Sequence, residues 1–253
     1  YRTTQSSSYV QLGNPELSPE SNFGKEIGID YKNDTFKAEL TMFHNELSNF
    51  VQTMSVCGAS YQGPCNMADW GLSGSGMSSV RKSMNIGDAT MTGGELFVEW
   101  KALDDLTLNA SATRTFAYMN SFNKQFSTLN QASLTSSGVP LAILGNQIGN
   151  VPTFVFTFGG KYDITDALSV GWTVKAWENY YVGTVPSSTY TNTAATTADM
   201  IINYKVNKQL DMYASGTNIS NATYIAKNND GSSTTAAEMG MPRAILGGFK
   251  FSF

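Results

Sequence analysis

Apolar and polar residues alternate in short segments along most of this chain, and a turn signal bounds each one. Ile27, Ile29 and Tyr31 alternate with Glu26, Gly28 and Asp30; past Lys32-Asn33-Asp34, Phe36, Ala38, Leu40 and Met42 alternate with Lys37, Glu39 and Thr41. Leu96, Val98 and Trp100 repeat the pattern, as do Leu106, Leu108, Ala110 and Ala112 beyond Asp104-Asp105. So do Phe154, Phe156, Phe158 and Tyr162, then Leu168, Val170, Trp172 and Val174. Met200, Ile202, Tyr204 and Val206, then Leu210, Met212 and Ala214, precede a last segment with Ile245, Phe249, Phe251 and Phe253 on one parity. Ala244, Gly248, Lys250 and Ser252 hold the other parity of that segment. Successive side chains of a strand point to opposite faces, so each segment predicts a strand with one greasy face. Roughly nine such strands are expected.

Charge follows the same phase. Glu26, Asp30, Lys37, Glu39, Glu95, Glu99, Lys101, Lys161, Lys175, Lys205, Asp211 and Lys250 all fall on the non-greasy parity. A charge on a lipid face costs ~2–4 kcal/mol near the midplane, so a membrane barrel must segregate charges this way; a half-solvated soluble sheet does the same. Arg114 breaks the phase and is expected near a strand's end. Connection lengths separate the two cases. Short turns are expected near 32–35, 102–105, 163–167 and 206–209, and long ones near 51–90, 117–152, 183–198 and 221–242. Short turns on one side and long loops on the other are the asymmetry of a transmembrane barrel. Loops beyond ~12–15 residues are uncommon in compact domains unless functional. The fold expected is therefore all-β, a transmembrane antiparallel up-and-down β-barrel whose apolar band faces lipid.

Composition narrows the classes further. No apolar run approaches the ~18–20 residues of a spanning helix. Tyr1 opens in Thr/Gln/Ser-rich sequence, as expected of a processed chain or of one beginning downstream of its gene's start. Charged residues are 14% and aromatics 12% of the 253 residues. That is poor in charge beside the ~25% of soluble domains. A net charge of −4 argues against a nucleic-acid partner, which wants a basic patch. Cys57 and Cys65 sit in a Gly/Ser-rich stretch, and a disulfide closing that small loop suits the periplasm or the cell surface. Two unrelated thiols are the alternative.

Several motifs then appear in order. Gly13-Asn14-Pro15-Glu16-Leu17-Ser18-Pro19-Glu20, followed by Glu26-Ile27-Gly28-Ile29-Asp30-Tyr31, resembles the Asn-Pro-x-Leu-x-Pro-Glu block and descending strand of TonB-dependent receptors. Gly94-Glu95-Leu96 resembles the family's Gly-x-Glu strand, and Gly145-Asn146 with Asn150-Val151-Pro152 its Gly-Asn…Val-Pro strand entry. Asn218-Ile219-Ser220-Asn221-Ala222-Thr223-Tyr224 resembles Asn-Leu-Phe-Asp-x-x-Tyr, with Ile219-Ser220 in place of Leu-Phe. Ser18 likewise stands where Lys is usual. Gly240-Met241-Pro242-Arg243 through Phe253 resembles the closing strand, whose terminal aromatics (here Phe249, Phe251 and Phe253) serve the family as a barrel-assembly signal. The resemblance implies an outer-membrane protein of a Gram-negative bacterium, with long loops extracellular and the C-terminus periplasmic. Family members carry a plug domain, a TonB-contacting box and about 22 strands around a plugged lumen. None of the plug or box is seen here, so residues 1–253 are expected to be the C-terminal portion of the barrel. The partners implied are outer-membrane lipid, the TonB complex through the plug region, the barrel assembly machinery and a small-molecule nutrient.

No enzyme constellation stands out. His44 is the only histidine, so no Ser-His-Asp or Cys-His arrangement has another base, and no cofactor is implied. Cys57 and Cys65 lack the partners of a zinc site. Met54, Met67, Met77 and Met84 offer either soft-metal ligands for Cu(I) or flexible packing, the commoner use. Gly71 to Gly76 mimics a phosphate loop without the strand-to-helix context or the following Lys. The long loops hold Asp69, Arg81, Lys82, Lys124, Lys227, Asp230 and Glu238, and Gly183 to Thr197 holds no charge. Loop aromatics Tyr61, Trp70, Tyr118, Phe122, Phe126 and Tyr190 are the candidate ligand-binding residues. An anionic ferric siderophore calls for an Arg/Lys cluster. Amide, hydroxyl and aromatic groups suit a neutral ligand such as a carbohydrate or a cobalamin, unless these loops are only hydrophilic covers. Iron–siderophore uptake, the family's commonest task, is the default reading. A passive porin-type channel and a barrel-based adhesin or scaffold are the alternatives.

Overall fold

Every alternating segment of the sequence falls on a strand, with Val206 one residue past its strand's end and Phe253 outside the described residues. The computed structural model describes residues 4–5, 9–58, 66–70, 79–122, 147–149, 151–181, 191–228 and 237–252. The strands are β1 (Thr4–Gln5), β2 (Tyr9–Leu12), β3 (Ser21–Lys32), β4 (Phe36–Gly58), β5 (Ser79–Lys101), β6 (Leu106–Phe122), β7 (Phe154–Asp163), β8 (Leu168–Trp177), β9 (Tyr180–Tyr181), β10 (Thr191–Asn192), β11 (Ala195–Lys205), β12 (Leu210–Thr217), β13 (Ile225–Asn228), β14 (Ala237–Met239) and β15 (Ala244–Phe251). Each long strand pairs with its long neighbours in chain order: β3 with β4, β4 with β5, then β5-β6-β7-β8-β11-β12-β15. The pairings from β6 to β15 are all antiparallel. This is an up-and-down meander. Among the described residues the one helix is a single 3-10 turn, Met67–Trp70.

Three of the four short turns are made by one device. Asn33 Oδ1 accepts from the backbone N–H groups of Thr35 at 2.9 Å and Phe36 at 2.8 Å. Asn207 Oδ1 does the same for Gln209 and Leu210, and Thr165 Oγ1 for Ala167 and Leu168. Asn and Thr side chains stand in for a backbone acceptor in such turns. The fourth turn, between β5 and β6, is held by Lys101 Nζ on Asp104 Oδ1 at 2.8 Å.

Two compact units divide the chain. One comprises Glu26–Phe43, Thr92–Phe116 and Ile148–Phe253. Within it the register keeps the apolar parities together. Leu108, Gly160, Trp172, Met200, Gly216 and Ile245 form one row across six strands, and Leu106, Tyr162, Val170, Ile202, Ala214 and Gly247 the next. A one-residue slip anywhere would move a strand's whole apolar set to the other face. The apolar face is also the bare one: Ile245 is 80% exposed and Ile27 72%. Tyr31, Trp100, Tyr162 and Tyr204 mark its short-turn edge, as in the aromatic girdles of barrels. The opposite face carries Ser111, Thr157, Lys175 and Thr197 in one row and Lys205, Asp211 and Lys250 in another.

The other unit comprises Tyr1–Lys25, His44–Met91 and Ala117–Gln147. It has a core of the ordinary kind: Val56, Cys57, Val80 and Met84 are buried, with Leu12 and Met67 packed against them. β2 pairs here with the start of β5 in parallel, Tyr9 opposite Ser79. The Asn-Pro block is stapled to β5. Asn14 Nδ2 donates to Ser83 O at 2.8 Å, and Ser18 and Asn85 exchange two hydrogen bonds.

Element boundaries depart from the sequence reading in this second unit. Residues 51–58 and 79–90, expected in a long loop, continue β4 and β5, each 23 residues long. Tyr118 and Phe122 lie in β6 rather than in a loop. Arg81, Lys82 and Met84 are strand residues of β5 and Met54 of β4. The reason is that these strands run far past the ~9–11 residues needed to cross a bilayer. Beyond that length no lipid face imposes alternation. Arg114 lies inside β6, where the β6–β7 pairing ends at Arg114 and Phe154, rather than at a strand's end.

Candidate functional site

The polar face of the first unit holds a recess of about 280 Å³, lined by Pro152, Val155, Lys175, Trp177, Tyr180, Thr197, Tyr224, Ile225 and Ala226. Val155 and Trp177 are cross-strand partners on β7 and β8, one row beyond Thr157 and Lys175. All four share the polar parity, so their side chains leave the sheet on the same side. Tyr224 meets Trp177 edge-on, with ring centroids 5.0 Å apart at 78°. Lys175 Nζ lies 5.9 Å from the Trp177 ring. The indole N–H is taken up by Thr193 O at 3.2 Å, which leaves the ring to face the recess.

Tyr224 is set by the turn before it. Asn218 is buried, with φ of 47°, a conformation Asn tolerates better than most residues. Its Nδ2 donates to Ala222 O and Met241 O, both at 2.9 Å, and its Oδ1 accepts from Ala222 N at 2.9 Å. Its own N–H donates to Asp199 Oδ1 at 2.7 Å, anchoring the turn to β11. Gly240 donates its N–H to Tyr224 O at 2.8 Å, and a Cβ there would strike the Tyr224 ring. The Asn218–Tyr224 motif is thus a clamp that aims one tyrosine.

A second recess, of about 440 Å³, lies at the short-turn end of the same unit, with Lys161, Lys205 and Lys250 beside Asp163, Asp166 and Asp211. Lys161 Nζ and Asp163 Oδ1 are 2.7 Å apart. The charges alternate in sign across the ladder, Lys205 opposite Asp211 and Asp211 opposite Lys250. In the adjoining β5–β6 turn, the Lys101 ammonium bonded to Asp104 holds that carboxyl below its ordinary range.

The predicted loop aromatics do not gather into one site. Trp70 is exposed at the end of its 3-10 turn, Tyr118 is half-buried in β6, and Phe122 closes that strand. Tyr61, Phe126 and Tyr190 lie outside the described residues, as do Cys65, Phe253, Met77 and the Gly71–Gly76 stretch. Cys57 is fully buried, its Sγ 3.3 Å from Met67 Sδ. His44 Nε2 lies 3.2 Å from Glu46 Oε1 on an exposed stretch of β4. Among the described residues no group of three or more His, Cys, Asp or Glu is placed to hold a metal ion. Sequence reasoning missed Trp177 and Tyr224 as a pair. Trp177 shares Lys175's parity rather than that of the greasy Trp172, and Tyr224 ends a recognised motif; those were the available signals.

The meander with its short turns, bare apolar face and polar opposite face is a barrel wall, and a family model fits it. The model described as TonB dependent receptor-like, beta-barrel, matches residues 1–219. The chain belongs to the TonB-dependent receptor family. The family is one of outer-membrane receptors and transporters in Gram-negative bacteria, not of enzymes, and its fold is the transmembrane β-barrel. Solved structures agree on the fold. The copper transporter OprC is similar with a TM-score of 0.64 at 17% identity, over 94% of this chain and 32% of that one. The ferric enterobactin receptor of Pseudomonas aeruginosa in complex with enterobactin gives 0.64 at 20%, over 97% and 33%. The ferric-catecholate import receptor Fiu of E. coli K12 gives 0.64 at 18%, over 95% and 29%. The chain therefore spans about a third of the length of each, and at these identities the likeness carries the fold alone. No curated protein sequence matches it.

Proposed function

We propose that this chain is the C-terminal part of the barrel of an outer-membrane TonB-dependent receptor that takes up a scarce nutrient, with a ferric siderophore as the ligand class. The observation that carries the reading is the register. Rows of apolar residues and glycines, with no charged or polar member, run from β6 to β15 on a face that none of the described residues covers, and every charged residue of those pairings except Arg114 lies on the facing rows. Lipid satisfies the first face, and a water-filled, plugged lumen the second. In this reading the long loops are extracellular, β15 descends, and the C-terminus is periplasmic. Phe249, Phe251 and Phe253 serve the barrel assembly machinery. A plug supplied outside residues 1–253 meets TonB, and Cys57 and Cys65 form a disulfide in the oxidising space outside the cell. A neutral ligand is the second reading, favoured by the charge-free stretch Gly183 to Thr197.

Two measurements test the reading together: the intact mass of the native polypeptide, and nutrient-dependent growth with and without functional TonB. A mass far above 27.4 kDa and growth lost without TonB are expected. A mass near 27.4 kDa, or growth indifferent to TonB, would sink the energised receptor and leave a split-barrel subunit or a passive channel.

A further inference from the structure

We propose that Arg114, flanked by the rings of Phe116 and Phe154, binds the headgroup of an anionic lipid that carries a phosphate monoester, drawn from the outward leaflet around the barrel. The inference rests on the lipid-face assignment in the receptor reading above and adds a lipid site to it.

Placement decides the first half of the argument. Arg114 shares the parity of Leu108, Ala110 and Ala112, so its side chain leaves β6 on the apolar side. It is the one charged residue on that side in the pairings from β6 to β15. A cation at mid-depth in lipid is strongly disfavoured, whereas an Arg near the end of a span reaches the interface. The register puts Arg114 at such an end. Leu106 pairs with Tyr162 of the short-turn girdle, and Arg114 lies eight residues further along β6. At ~3.3 Å per residue and ~40° of tilt, that is ~20 Å of depth in a band ~25 Å tall. The long side chain covers the remainder. Phe154, its cross-strand partner, and Phe116, 41% exposed, mark the outward girdle as Tyr162 and Tyr204 mark the opposite one.

Charge decides the second half. The Arg114 guanidinium lies 5.0 Å from the Phe116 ring centroid, a contact that positions it without neutralising it. Among the described residues no carboxylate pairs with it. Glu178, whose N–H donates to Phe154 O, accepts the Thr153 hydroxyl at 2.6 Å with its carboxylate. The anion that complements Arg114 therefore comes from the surrounding leaflet. A planar guanidinium fork matches phosphate, and a monoester offers it three free oxygens and more charge than a diester. A zwitterionic headgroup brings its own cation and has less to gain. Inward of Arg114, Phe156 and Phe158 stand opposite Ala112 and Ala110, so apolar surface continues where the acyl chains of a lipid held at Arg114 would lie.

The test uses the full-length receptor in a non-ionic detergent, titrated with phosphatidic acid or with phosphatidylcholine of the same acyl chains and read by native mass spectrometry. Wild type is expected to retain phosphatidic acid about tenfold or more tightly than phosphatidylcholine. Arg114→Gln removes that preference, weakening phosphatidic acid about ten- to a hundredfold and leaving phosphatidylcholine unchanged. Arg114→Lys keeps part of it, and Lys205→Gln, which removes a cation from the opposite face, keeps all of it. Inorganic phosphate in about tenfold excess leaves the bound lipid in place. Heat-modifiable gel migration checks that each variant barrel has assembled; if Arg114→Gln has not, Arg114→Met replaces it with the same expectation. Equal affinities for the two lipids, a preference that survives loss of the guanidinium, displacement by inorganic phosphate, no saturable retention of either lipid, or receptor dimers that come apart in Arg114→Gln overturns the proposal. TonB-dependent uptake is scored separately on the same variants. Uptake without lipid preference removes this site and leaves the receptor; lipid preference with TonB-independent uptake does the reverse.

Discussion

Met200 and Ile201 are adjacent on β11, of similar size, and 38% and 39% exposed in the sheet. Reasoning for a sheet in water assigns a lysine at either position the same small cost. The barrel reading does not. Met200 sits in the row Leu108–Gly160–Trp172–Met200–Gly216–Ile245, on the lipid face. It lies on the same parity as Tyr204 of the short-turn girdle and, at ~3.3 Å per residue, ~13 Å along the strand from it. With a strand tilt near ~40° that is ~10 Å of depth, close to the middle of an apolar band ~25 Å tall. Lysine there costs ~2–4 kcal/mol. At ~1.4 kcal/mol per decade this is a ~30- to 1,000-fold shift in the folding equilibrium. Ile201 shares its row with Thr107, Lys161, Gly171, Ser215 and Leu246, on the lumen side, where a lysine head reaches water and the cost is within ~1 kcal/mol. The assay is the heat-modifiable, protease-resistant fraction of full-length receptor in outer membranes, together with urea-dependent folding into phospholipid vesicles. Met200→Lys is expected to lose most of its assembled fraction and Ile201→Lys almost none. Equal losses, or a larger loss at Ile201, would refute the assignment of faces and with it the argument from register.

Further consequences are as direct. Asn218→Ala strands Ala222 and Met241 backbone groups and puts alanine at positive φ, so a loss of ~2–4 kcal/mol is expected, seen as faster amide exchange over Ala222–Tyr224. Gly240→Ala drives a methyl into the Tyr224 ring; the Trp177 fluorescence should change while membrane assembly stays at the wild-type level. Because Lys101 depresses the Asp104 pKa, the stabilisation from that ion pair is present above the carboxyl's unfolded pKa and lost as pH falls through its lower folded value. Protection factors across the Ala102–Asp105 turn should therefore fall on acidification, and Asp104→Asn should abolish the dependence. If Cys57 and Cys65 are joined, thiol alkylation of the unreduced, denatured protein labels neither, and Cys57→Ser costs ~2–3 kcal/mol by the loop-entropy estimate.

How far the sequence could be read depended on which solvent each stretch meets. From Phe36 to Met42 and from Leu96 to Trp100, lipid on one side and polar groups on the other enforce alternation, and those strands were legible. The short turns were legible for the same local reason, since Asn33, Thr165 and Asn207 each cap their own hairpin. Beyond His44, β4 enters the unit where Val56, Cys57, Val80 and Met84 make a water-excluding core, and its continuation looked like loop. Of the site, the motif Asn218–Tyr224 was visible but its purpose was not. Trp177 and Tyr224 stand far apart in sequence, and only the pairing of β8 with β11, plus the clamp at Asn218, brings the rings together.

The same division explains why the faces can be tuned separately. In unit Glu26–Phe43, Thr92–Phe116 and Ile148–Phe253, hydrocarbon fits any apolar surface, so the lipid side needs no second layer to pack against. Its glycines are covered within the sheet where they are covered at all: a Cβ at Gly160 would strike the Trp172 ring and Leu108, and one at Gly216 Ile219, whereas Gly247, in the row of Val170 and Ile202, meets only a backbone carbonyl. The polar side is packed just as closely. Adding a Cβ at Gly248 would press on the Tyr213 ring, and one at Gly159 on Asn109 and Thr173, so that face is already filled by its own side chains. Substitutions outward should change assembly and leave ligand preference alone, whereas substitutions at Lys175, Trp177 or Tyr224 should do the opposite. A variant that moved both together from either face would mean that the two faces are coupled through the strand, which alternation along a rigid ladder does not permit.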